Sequence, residues 1–196
     1  MIEADLAHLD RAIRRIPDRP VPGVQFFDCT PLLADKVLLR ETVARLAAPF
    51  QESHVDLVLA PESRGYYFAP GLAIELGAGF IPVRKPGKLP ARVYSYHAEI
   101  ADRKGVAGAQ ETAGTEPPAT YHKPYDYEMH TEDVTAGQNV LVVDDLLAKG
   151  GTARACCGLA EMAGAQVVAC AFLMELVGLG GAALLAPRTV FSLLRY

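Results

Sequence analysis

Val140-Leu141-Val142-Val143-Asp144-Asp145-Leu146-Leu147-Ala148-Lys149-Gly150-Gly151-Thr152 holds the strongest structural signal in the chain. Its first four residues are apolar and Val-rich, and the run is too short for a helix. Such a run, bounded by a turn, reads as a buried parallel strand. Asp144 and Asp145 stand at its carboxyl end, where ligands bind in open α/β sheets. Gly150 and Gly151 let the chain turn sharply and bring backbone amides close to a ligand. A helix beginning near Thr152 and running to about Gly164 aims its positive end at the same spot, which favours a phosphate. Two carboxylates beside a phosphate repel it unless a sugar or a metal lies between them. Carboxylates also accept hydrogen bonds from paired hydroxyls. The stretch is therefore expected to hold a phosphorylated sugar.

Outward from this centre, strands and helices alternate. Leu6, Leu9, Ile13 and Ile16 fall at helical spacing and predict a first amphipathic helix, ended by Arg19-Pro20-Val21-Pro22-Gly23. A second helix is expected over 34–50, a strand over 56–60, and a helix over 66–76 stopped by Gly77. A strand over 79–84 follows. Beyond the central stretch come a strand over 166–174, a short helix over 181–185 and a last strand over 189–194. This order predicts an α/β fold, a central mostly parallel sheet flanked by helices. Residues 91–127 break the pattern, being rich in Gly, Ala, Thr and Pro. Long loops of this kind are usually functional or disordered, and a flexible lid or insertion is expected there.

The bulk numbers fit one domain over 1–196. The chain has 196 residues, 51% hydrophobic and 21% charged, enough for a full core. Its net charge of −4 gives no sign of a nucleic-acid or anionic-membrane partner. No apolar run approaches the roughly 20 residues of a membrane span. The acidic N-terminus lacks a signal-peptide pattern. Cys29, Cys156, Cys157 and Cys170 lack zinc-ligand spacing and read as small buried residues. A reducing, cytoplasmic location is the default expectation.

The central stretch resembles the phosphoribosyl-pyrophosphate (PRPP) loop of type I phosphoribosyltransferases. More narrowly, it is similar to the Val-Val-Asp-Asp-Leu-Leu-Ala-Thr-Gly-Gly-Thr loop of the adenine phosphoribosyltransferase family, with Lys149 in place of Thr. Four more segments carry the resemblance: the entry segment Asp18-Arg19-Pro20-Val21-Pro22-Gly23-Val24-Gln25-Phe26-Phe27-Asp28, then Glu62-Ser63-Arg64-Gly65, then Val83-Arg84-Lys85-Pro86-Gly87-Lys88-Leu89-Pro90, and the ending Phe191-Ser192-Leu193-Leu194-Arg195-Tyr196. Together they cover nearly all of the chain apart from 91–127. The resemblance implies the type I fold, with a mobile lid and a small hood.

It also implies a reaction, adenine + PRPP giving AMP + pyrophosphate through an oxocarbenium-like transition state. Expelling pyrophosphate needs cations and main-chain donors. Arg64, Arg84, Lys85 and Lys88 supply the cations, Arg for bidentate and Lys for point-charge contacts. Ala148, Lys149, Gly150, Gly151 and Thr152 would hold phosphate. Asp144 and Asp145 would hold the ribose hydroxyls and stabilise positive charge on the sugar. Mg²⁺ is implied, held by substrate oxygens and water with no direct protein ligand. Gln25, Phe26 and Leu146 would meet the base. Phe27 stands where the family usually has Arg, and Glu62 where it has Asp. A lid Glu followed by Tyr-Gly moves a proton in the family. Glu99 is the nearest candidate here, Asp126 and Glu128 are others, and Tyr121-His122-Lys123 lies where the motif would fall if the insertion ended earlier. A homodimer is implied. Two alternatives stand beside this reading: a transferase for another purine, or a non-catalytic PRPP- or nucleotide-binding regulator on the same fold.

Overall fold

The Val-rich run becomes β7 (Asn139–Leu147), the middle strand of a five-stranded parallel sheet. The computed structural model describes residues 4–97 and 126–196. The sheet runs in the order β4 (Gly79–Val83), β3 (Leu57–Pro61), β7, β8 (Gln166–Glu175) and β9 (Val190–Arg195). Each neighbouring pair is parallel, with Leu59 beside both Ile81 and Val142, Val142 beside Cys170, and Phe172 beside Ser192.

Side chains of a strand alternate between faces, so one run serves two cores. Leu141 and Val143 enter a core with Leu46, Phe68 and Leu72. Val140 and Val142 enter a second core with Cys156, Leu159 and Phe172. The first core is roofed by α3 (Lys36–Ala47) and α4 (Ala69–Leu76), the second by α5 (Gly151–Met162). Burial on both faces explains why β7 is apolar without interruption from Val140 to Val143.

Two small antiparallel ribbons stand off the sheet. β1 (Arg14–Ile16) pairs with β2 (Phe26–Asp28), Ile16 opposite Phe26. This is the hood expected from the resemblance. Its inner residue, Phe27, is buried and stacks on the Tyr196 ring at 4.7 Å. The Tyr196 hydroxyl donates to Asp10 at 2.7 Å, and the Arg15 guanidinium lies 5.3 Å from the Tyr196 ring. Phe27 therefore serves packing that ties the hood to the last strand. The second ribbon joins β5 (Val93–Tyr96) to β6 (Tyr127–His130) and packs on α5.

Several elements differ from the sequence expectation. The first helix stops early: α1 (Ala7–Arg11) is followed by β1, so Ile16 pairs in the hood instead of extending a helix. Ile13 stays buried, which is what its periodicity recorded. The helix expected over 34–50 is α3, which starts at Lys36 and is continued by a 3-10 turn over Ala48–Phe50, while a short helix that was not expected, α2 (Thr30–Ala34), precedes it across Asp35. Asp35 is extended, and its carboxylate accepts from Val37 N at 2.8 Å and Leu38 N at 3.1 Å, an N-cap. The 66–76 helix proper begins only at Ala69, after a 3-10 turn over Arg64–Tyr67, and Gly77 stops it at φ 66°. The ends of the 91–127 segment are strand, since β5 and β6 satisfy each other's backbone groups. Its lid reading falls on residues 98–125, outside the described residues. The strands over 79–83 and 166–175 and α6 (Gly181–Leu185) fall where expected.

Candidate active site

β7 keeps its ladder to Leu147, so Asp144 and Asp145 are held by strand geometry at the carboxyl end of the sheet. Asp145 is 1% exposed and Asp144 9%. Asp144 Oδ1 accepts the Asp145 backbone N–H at 2.9 Å. Asp145 Oδ2 lies 3.2 Å from Arg64 Nη1, an ion pair, yet neither Asp145 oxygen receives an aligned hydrogen bond within the described residues. Buried acceptors are nearly always satisfied, so this carboxylate is set up for donors from outside the chain, such as sugar hydroxyls.

Burial raises the pKa of Asp144 well above the ordinary 3.8, and the charge of Asp145 adds to it. Burial also raises Asp145, against the opposing pull of Arg64. A carboxyl whose folded pKa is raised binds its proton more tightly when folded. Stability is therefore lost as pH rises from the ordinary carboxyl range toward the folded value. Asp144→Asn removes this penalty. The ligand-free variant is expected to gain on the parent as pH rises, with a larger Tm difference at pH 7 than at pH 4, measured by calorimetry.

The bend after β7 is built by Gly150, at φ 83°, which no L side chain adopts easily. A Cβ there would lie 2.8 Å from Gly181 O, so the bend also rests against the start of α6. The first helical bond of α5 runs from Arg154 N to Gly150 O at 2.9 Å. The amides of residues 151–153, in the first turn, have no partner within the helix and point toward the cleft end where an anion would bind. A cleft of ≈ 130 Å³ lies here, lined by residues 148–153 with Arg64, Asp144, Leu146, Leu147 and Phe172. A wider groove of ≈ 590 Å³ runs along α3, but its lining of Lys36, Val37, Arg40, Glu41 and Ala44 includes none of the loop.

The basic segment leaves β4, which lies beside β3, the strand that leads into the Arg64 turn. Arg84 Nε donates to Glu62 Oε2 at 3.2 Å, and its Nη1 to Lys88 O at 3.1 Å. Glu62 Oε1 accepts the Lys85 N–H at 2.8 Å. Lys85 Nζ lies 3.7 Å from the centre of the Tyr127 ring. Lys88 is exposed. On the hood side, Phe26 is 37% exposed and Arg64 sits 5.6 Å from its ring centre. Gln25 is exposed beside it.

Of the residues singled out from the sequence, the fold gathers Arg64, Asp144, Leu146, Ala148, Lys149, Gly150, Gly151 and Thr152 around one cleft. Asp145 and Phe26 join it through Arg64. Arg84, Lys85 and Lys88 form a neighbouring loop at the end of the strand flanking β3. Glu99 lies outside the described residues. Asp126 faces His97 at 3.6 Å, and Glu128 faces the basic loop. Sequence reading overlooked the work of Glu62 and Glu128. An acid directly after β3, facing a basic cluster after β4, was the available signal for Glu62.

The donor set fits a hard cation only in part. Among the described residues, no group of three or more His, Cys, Asp or Glu side chains could hold a metal ion. Asp144 and Asp145 are hard oxygen donors, and both Asp145 oxygens lack a hydrogen-bond partner among the described residues, which suits Mg²⁺ held through water or substrate. No helix among the described residues is long and apolar enough to cross a membrane.

A parallel sheet with paired acids and an amide-lined bend at its centre, under a small hood, defines a type I phosphoribosyltransferase. The family model for the phosphoribosyl transferase domain matches residues 37–188. Adenine phosphoribosyltransferases of Rhodopirellula baltica and Chloroflexus aurantiacus are 43% and 41% identical to the chain, covering 98% and 100% of it and 82% and 100% of themselves. The solved adenine phosphoribosyltransferase of Thermoanaerobacter pseudethanolicus superposes with a TM-score of 0.82 at 38% identity, covering 97% of this chain and 99% of that one. That of Saccharomyces cerevisiae, complexed with an imino-altritol bisphosphate and adenine, gives 0.81 at 32%, covering 98% and 99%. The chain belongs to the adenine phosphoribosyltransferase family.

Proposed function

We propose that the chain, as one catalytic domain over 1–196, transfers the phosphoribosyl group of PRPP to adenine, giving AMP and pyrophosphate. The observation that carries this reading is the buried pair Asp144 and Asp145, the first lining the cleft and the second without aligned donors, beside the amide-lined bend. The yeast relative's complex with adenine and a bisphosphate supports the same pairing of ligands.

In this reading the bond from the anomeric carbon to pyrophosphate breaks, and its electron pair leaves with pyrophosphate. A ring nitrogen of adenine forms the new bond to that carbon and loses its proton. Amides of residues 148–152 hold the sugar's phosphate through the positive end of α5. Asp144 and Asp145 accept the ribose hydroxyls, and their negative charge stabilises the oxocarbenium-like sugar. Arg84, Lys85 and Lys88 receive the leaving pyrophosphate. Arg64 keeps Asp145 oriented and adds positive charge on the pyrophosphate side. Mg²⁺, when bound, neutralises charge on the pyrophosphate oxygens. Phe26 and Leu146 flank the base, with Gln25 at its edge. Glu99 is assigned the proton transfer on the family resemblance. A homodimer and a cytoplasmic location complete the reading.

A substrate panel with PRPP and Mg²⁺ tests it. Adenine is expected to give AMP and pyrophosphate in excess of guanine, hypoxanthine and xanthine. Arg84→Ala removes a charge-assisted donor set and is expected to lower kcat/KM for PRPP by about a hundredfold. PRPP binding without turnover on any purine would favour the regulator instead.

A further inference from the structure

Three cations within five residues, Arg84, Lys85 and Lys88, repel one another when no anion is present. The loop that carries them is nonetheless folded. It is held from β3 by Glu62, and from the other side by β6. Arg84 exchanges both backbone bonds with Glu128 of β6, at 2.9 and 2.7 Å, an isolated antiparallel bridge apart from the pairing of β6 with β5. The Glu128 carboxylate then reaches past that bridge and accepts the Gly87 N–H at 2.9 Å. Gly87 is at φ 73°, the turn that places Lys88. Tyr127, the preceding residue, presents its ring to Lys85 Nζ at 3.7 Å.

We propose that Glu128 is a positioning residue for the pyrophosphate-binding loop: its carboxylate fixes the Gly87 turn so that the loop's cations converge before the substrate arrives. The proposal rests on reading that loop as the pyrophosphate site. It gives Glu128 no part in proton transfer to or from the base. The backbone bridge survives side-chain replacement, so variants at 128 isolate the carboxylate. Preorganised donors cost no rearrangement at the moment of reaction, which is where the gain lies.

The test uses Glu128→Ala and Glu128→Gln in the full chain. Hydrogen exchange of the ligand-free protein reads the staple directly. The Gly87 amide is expected to exchange about tenfold faster in the Ala variant and near the parent rate in the Gln variant, which keeps an acceptor. Kinetics read its consequence. In the Ala variant KM for PRPP, and for pyrophosphate in the reverse direction, is expected to rise about tenfold while KM for adenine stays within about twofold. Glu128→Gln should recover most of this loss. A proton-transfer role predicts instead a kcat deficit that Gln does not restore, and that result overturns the proposal. So does unchanged Gly87 exchange, or an equal rise in both substrates' KM. Should the Ala variant fail to fold, Glu128→Asp, too short to reach Gly87, replaces it with the same expectations. If the parent makes no AMP, the functional reading falls, while the exchange experiment still decides whether the staple exists.

Discussion

Asp145→Asn is expected to lower kcat for AMP formation by about a hundred- to a thousandfold, the usual cost of removing one preorganised electrostatic group. The substitution keeps the shape of the side chain and removes its charge. Asp145 is 1% exposed, so little water can take over that charge's role at the sugar. Arg64, its ion-pair partner at 3.2 Å, has a side chain 40% exposed and regains solvent when the pair is lost. The burial that raises the Asp145 pKa also means that the fold is relieved of a desolvated charge. Folding should thus be nearly unaffected, with Tm within about 5 °C of the parent. Steady-state kinetics with a Tm measurement separates the two effects. Full activity in the variant would show that the carboxylate's charge is not used.

Gly150→Ala is expected to damage both the fold and the phosphate site. Two costs combine. Gly150 is at φ 83°, and an alanine there is strained by about 1–3 kcal/mol. Its Cβ would also meet Gly181 O at 2.8 Å, a backbone atom that cannot swing aside. Moving the bend away from α6 turns the amides that line the cleft, so KM for PRPP should rise at least about tenfold through lost charge-assisted bonds. Gly137→Ala is the control. Gly137 is at φ 87° with no atom within 4 Å of an added Cβ. It should show the strain in Tm and leave KM for PRPP unchanged. Equal kinetic effects in both variants would attribute the Gly150 result to general loosening.

The parts of the site that were legible share one property: contiguity. Asp144, Asp145, the glycines and the start of α5 follow one another in the chain, so their geometry is set by strand, turn and helix rules acting locally. The same holds for Arg84, Lys85 and Lys88 after β4. Helix ends were read less well. The spacing of Leu6, Leu9, Ile13 and Ile16 suits a helix, yet Ile16 pairs with Phe26. Periodicity reports which residues are buried and leaves open whether a helix or a ribbon buries them. Asp35 shows that a side-chain cap fixes a helix start more sharply, since α3 begins directly after it, two residues into the span expected as helix.

The central strand, its paired acids, the bend, the basic motif and the family are all legible in the order of residues alone. Each is written in adjacent residues whose local conformation has few alternatives. Which acid meets which cation is set by the folded arrangement. Arg64 reaches Asp145 because β3 and β7 are neighbours in the sheet. Glu128 reaches Gly87 across 41 residues, and Tyr196 reaches Asp10 across 186. Such partners are chosen by strand order and packing, which depend on burying two cores at once and leave no periodic trace in either segment.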